Sequence, residues 1–93
     1  MAKLESDKVM YEIYREADYD RRFRVVYFTE LSERNRDHEI ASALAGEHIC
    51  DGFLSVARLS DAKLAITALL DRLNAGEALP PAAVAAALAA YRT

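Results

Sequence analysis

The chain has one cysteine, two prolines, three glycines and no tryptophan, and it contains no long apolar run. Each shortage excludes something. A lone Cys50 cannot close a disulfide within the chain, so nothing implies an oxidising compartment, and the cytoplasm is the expected location. A bilayer crossing needs about 20 consecutive apolar residues. None of that length is present, and no membrane partner is expected. Residues 1–7 are polar, lack the apolar segment of a signal peptide, and read as a flexible amino terminus to one domain covering 1–93. The glycines fall at two helix ends and one strand turn, which leaves no backbone cradle for a phosphate. There is no Walker lysine, dinucleotide fingerprint, serine elbow or paired-histidine helix, so no cofactor and no catalytic residue is expected. Positive charge is not in excess either. Twelve Lys and Arg stand against 15 Asp and Glu, a net charge of -3, which argues against binding dominated by counterion release from nucleic acid.

The β-forming residues gather at one end of the chain and the alanines at the other. Residues 8–31 are rich in Tyr, Val, Phe and Ile, broken once at 17–20. Val9, Tyr11 and Ile13 alternate with Met10, Glu12, Tyr14 and Glu16, which is strand periodicity. After the break, Phe23, Val25 and Tyr27 alternate with Arg22, Arg24, Val26 and Phe28. A one-residue slip moves every side chain to the wrong face. The pattern therefore predicts a hairpin pairing Ile13 with Val25, Tyr11 with Tyr27, Tyr14 with Arg24 and Glu16 with Arg22. That register needs an odd loop of about three or five residues, with Asp18 and Asp20 suited to its turn positions.

A first helix is expected over 32–46, capped by Ser32 or Asn35 and ended by Gly46. A third β segment follows at 47–56. Its Asp51-Gly52 pair reads either as a hairpin turn or as a kink in one strand, and the shortness of each half favours the kink. Ser60 is expected to cap a second helix over 61–74. Leu64, Ile66, Leu69, Leu70 and Leu73, with Ala65 and Ala68, cover so much of its surface that it should be largely buried. Pro81 opens a third helix, with Val84, Leu88 and Tyr91 on one stripe and alanine elsewhere. The fold class is α+β in the order β-β-α-β-α-α: a small antiparallel sheet, formed by the amino-terminal hairpin and a third strand, with three helices on one face. The other face is left open or covered by a second copy.

Four groups of residues bear on function. The outer hairpin face carries Met10, Tyr14, Val26 and Phe28 among charged neighbours, and such a half-apolar face usually meets something. The alanine-rich third helix offers a second contact surface, unless the two surfaces pack on one another. Arg15, Arg21, Arg22 and Arg24, with Tyr14, Tyr19 and Phe28 nearby and Arg34 and Arg36 beyond, resemble in composition a single-strand-binding surface, although Glu12, Glu16 and Glu30 are placed to neutralise it. His48 and Cys50 share a strand face beside Asp51, the donor types of a metal or thiol site, but no second ligand pair has a recognisable spacing, and no metal site is assigned. Asp37-His38-Glu39 diverge around a helix and read as a solvated face.

The favoured expectation is therefore a small non-enzymatic interaction or regulatory protein, a homodimer or a subunit of a complex. Its partner-binding residues are Met10, Tyr14, Val26 and Phe28, flanked by Arg22 and Arg24. A nucleic-acid module using the hairpin arginines is the alternative, and a small metal- or thiol-dependent enzyme the second alternative.

Overall fold

The computed structural model describes residues 7–17, 20–28 and 34–92. Of the expected amino-terminal tail only Asp7 falls within them, and Asp18, Tyr19, Glu30, Ser32 and Glu33 lie outside. The strands are β1 (Lys8–Arg15), β2 (Phe23–Tyr27) and β3 (Glu47–Ser55), and the helices are α1 (Arg36–Ala45), α2 (Leu59–Asn74) and α3 (Pro81–Leu88). The order is β-β-α-β-α-α, an α+β fold, and the sheet is antiparallel with strand order β2-β1-β3.

The hairpin register is the one the alternation demands. Tyr11 pairs with Tyr27, Ile13 with Val25 and Tyr14 with Arg24. The Glu16 N–H donates to the Arg22 carbonyl at 2.9 Å, so five residues, 17–21, make the loop. Arg21 closes it in the left-handed region at φ 50, and its carbonyl accepts from the Arg15 guanidinium at 2.9 Å.

β3 runs through Asp51-Gly52 without turning. The irregularity lies elsewhere: Ile13 faces Cys50 but Tyr14 faces His48, so Ile49 is an extra residue opposite β1. A bulge of this kind inverts the alternation of everything beyond it. Ile49 and Cys50 both join the core, and His48 turns to the opposite face. Gly52 instead serves close packing, since a Cβ there would stand 3.2 Å from the Tyr11 ring.

One face of the sheet holds the main core. Tyr11, Ile13, Cys50 and Leu54 meet Ala62, Ile66, Leu69 and Leu73 of α2 and Val84 and Leu88 of α3. The buried residues of α2 form a single stripe at i, i+4, i+7 and i+11, and Leu64 is 72% exposed. The helix is thus half-buried rather than enclosed, because a sheet on one side covers only one stripe. It begins earlier than Ser60, which lies inside it, since the 3-10 turn Val56–Arg58 leads directly into Leu59. It ends in a Schellman motif: the Gly76 N–H donates to Leu73 at 3.0 Å and the Glu77 N–H to Arg72 at 3.1 Å, with Gly76 at φ 95.

The second face is covered in part by this chain itself. α1 crosses it, and Ala43 packs with Tyr14 and Val26 while Phe28 leans on the same cluster. Helices therefore occupy both faces of the sheet. Gly46 ends α1 with extended backbone, not a left-handed turn, and a Cβ there would lie 2.4 Å from the Arg15 carbonyl oxygen. Glycine is needed at 46 because the chain passes against β1, and the same passage sets α1 down on the outer face.

Candidate functional site

The outer face of the sheet is the strongest candidate, and α1 divides it. At the end nearest the hairpin loop, Tyr14 and Val26 are each 6% exposed beneath Ala43. These two were expected as partner anchors; they are core instead. Small Ala43 allows α1 to approach closely enough to seal them, and burial raises the Tyr14 phenol above its ordinary value, with Glu16 adding to the effect. At the other end the face stays open. Met10 of β1 stands opposite Phe53 of β3, and Phe53 is 52% exposed. Met10 and Phe53 thus sit side by side across β1 and β3, while Phe28, one residue past the end of β2, leans on the Tyr14–Val26–Ala43 cluster. Phe53 carries no signal of this in the sequence, because its place beside Met10 depends on β3 docking against β1.

The arginines do not form one surface. Arg15 lies on the α2 side, with its guanidinium 4.9 Å from the centre of the Phe23 ring. Arg24 lies on the outer face and pairs with Glu16 at 2.7 Å, so the ion pair is diagonal rather than the Glu16–Arg22 pair directly across. Arg22 is exposed, facing clefts it shares with Phe23 and Asn74. Tyr14 is enclosed and offers no ring for a base to stack on. Tyr19 lies outside the described residues.

His48 and Cys50 do not converge. The bulge places Cys50 in the core and His48 on the outer face, where its Nδ1 lies 3.3 Å from Glu12 Oε2. Burial pushes the Cys50 thiol up, with Asp51 adding to it, so the nucleophilic thiolate is disfavoured. Among the described residues no group of three His, Cys, Asp or Glu side chains is placed to hold a metal ion. His38 of α1 is exposed and borders a shallow cleft with Glu16, Ala41, Ser42 and Ala45.

The third helix turns its apolar stripe inward. Val84 and Leu88 are fully enclosed, and Ala82, Ala83, Ala86 and Ala87 face outward. α3 therefore packs on its own domain with one stripe and leaves a smooth alanine surface on the other.

No family model matches this chain, and comparison with curated proteins and with solved structures gives no match. No described helix is long and apolar enough to cross a membrane.

Proposed function

We propose that this protein is a small non-enzymatic interaction module of the cytoplasm, acting through the open end of the outer sheet face. The contact residues are Met10, Phe28 and Phe53, with Arg24 a charged neighbour further along the same face and Arg22 exposed at the β2 edge. The observation that carries the reading is Phe53: a half-exposed aromatic on a sheet, beside Met10, where α1 stops covering. Aromatic residues and Met are enriched at the centres of interfaces, and large exposed apolar groups that sit together mark contact sites more often than scattered ones do. The third-helix alanines are a flat secondary surface with little area to anchor a partner.

The test is affinity capture with the tagged protein from its own cells, with nuclease, comparing wild type with Phe53→Asp. A protein held by the wild type and lost by the variant supports the reading. Capture that Phe53→Asp leaves intact, or capture that nuclease abolishes, refutes it.

A further inference from the structure

The two edges of the sheet are finished differently. In β2 the backbone groups of Phe23, Val25 and Tyr27 point away from β1, because the Glu16–Arg22 bond sets the alternation. The edge at Phe23 is capped: its N–H donates to Asn74 Oδ1 at 2.8 Å and its carbonyl accepts from Asn74 Nδ2 at 3.1 Å. The Asn74 amide does there what a neighbouring strand would do. In β3 the same alternation sends the N–H and C=O of Asp51, Phe53 and Ser55 outward. Among the described residues β3 has β1 as its one strand neighbour; the Ser55 carbonyl caps the 3-10 turn Val56–Arg58, and no hydrogen bond reaches the outward N–H and C=O of Asp51 and Phe53. An unpaired edge of this kind is a template for another strand.

We propose that β3 pairs with β3 of a second copy, antiparallel about a two-fold axis at Phe53, to make a continuous six-stranded sheet. This deepens the reading above by naming the partner, and it rests on the same open end of the face. A second copy is favoured over a foreign strand because the edge is self-complementary in one register. With the axis at Phe53, the two phenyl rings are cross-strand neighbours, Gly52 faces Leu54 of the other copy, and Asp51 faces Ser55. The Met10–Phe53 pair then continues without a break into its two-fold copy, four apolar side chains across four strands. With the axis at Asp51, two carboxylates oppose one another, which is destabilising. With the axis at Gly52, each carboxylate lies against a phenyl ring. The bulge at Ile49 and the 3-10 turn at Val56 bound the regular segment on either side, so the pairing is confined to 51–55. An isologous contact of this type closes after two copies and does not propagate.

The experiment is light scattering on the full chain from about 5 to 500 μM. Wild type is expected at twice the 10.3 kDa chain mass at the upper concentrations. Asp51→Pro removes an outward N–H and no bond to β1, and should weaken the dimer by about tenfold or more while leaving urea stability of the monomer unchanged. Phe53→Asp should give monomer throughout. The register is read by crosslinking in a Cys50→Ala background. Asp51→Cys mixed with Ser55→Cys should form a disulfide-linked pair and neither alone should, since directly opposed residues stand about 5.5 Å apart at Cα, within disulfide reach. A monomer at every concentration overturns the proposal, as does a dimer indifferent to Asp51→Pro or crosslinking in a different register. A monomer that still captures a partner through Phe53 would overturn this inference alone. A dimer that captures nothing else would remove the broader reading and leave this one.

Discussion

Replacing Val26 by aspartate asks whether the outer face is core or contact surface. Val26 is 6% exposed and lies between Tyr14 and Ala43. Burying a valine side chain is worth about 1.5–3 kcal/mol, and the substitution loses it. The carboxylate has no cationic partner at this position among the described residues, since Arg24 is held by Glu16, so it must be buried unpaired or protonated. Either outcome adds about 1–3 kcal/mol or more. The total, about 4 kcal/mol, is a large share of the stability of a chain of 93 residues, about 5–14 kcal/mol at about 0.05–0.15 kcal/mol per residue. Phe53→Asp has no such cost, and a change of about 1 kcal/mol or less is expected there. The assay is urea unfolding followed by circular dichroism at about 1 μM protein, where self-association contributes least. Val26→Asp should unfold at a much lower urea concentration than wild type, having lost about 4 kcal/mol, and Phe53→Asp should unfold near wild type. If Val26→Asp is folded and within about 1 kcal/mol of wild type, α1 does not seal this face, and the division of the site between core and surface fails.

Three further outcomes can be checked by the same unfolding assay. Gly46→Ala should cost about 1–3 kcal/mol, because a Cβ cannot stand 2.4 Å from the Arg15 carbonyl oxygen and the backbone must shift; a neutral result would mean α1 is not held against β1. Asn74→Ala should cost about 1–3 kcal/mol by stripping both hydrogen bonds from Phe23, and faster amide exchange at Phe23 should accompany it; unchanged exchange would show the edge needs no cap. Stability should fall as pH rises above the ordinary values of a thiol and a phenol, near 9.0 and 10.0, because burial raises Cys50, Tyr11 and Tyr14 in the folded chain. The unfolded chain then releases its protons first, so the contribution is complete below those values and is lost on the way up; a flat profile to pH 11 would contradict the burial of all three.

The hairpin was legible to the residue because strand alternation is strict and both faces carry large apolar groups, so only one register keeps Tyr11, Ile13, Val25 and Tyr27 together. The Schellman end of α2 and the Pro81 start of α3 were legible for a similar reason, since glycine and proline constrain the backbone locally. α1 was harder. Its amphipathic signal is slight, and its one buried residue is an alanine, which carries almost no hydrophobic information. Nothing along the chain says that such a helix crosses to the far face. That depends on Gly46 passing against Arg15, a contact between residues 31 positions apart.

The site was legible in kind but not in place, and the bulge is the reason. Periodicity read through Ile49 puts His48 and Cys50 on one face; the extra residue sends His48 to Glu12 and Cys50 to the core, and dissolves the apparent pair. The same insertion leaves β3 regular only from Cys50 onward, the stretch that carries Phe53. Of the four apolar anchors expected on the hairpin, α1 removes Tyr14 and Val26, and the third strand supplies Phe53 in their stead. The apolar surface is therefore shifted toward the β3 edge. The Met10–Phe53 pair and the unpaired backbone of β3 coincide at Phe53, and each alone would be weaker evidence for contact. A hydrophobic pair without an open edge gives area without register, and an open edge without the pair gives register with little area. Together they specify both, which is why a single substitution at Phe53 and a backbone substitution at Asp51 should fail in the same assay for different physical reasons.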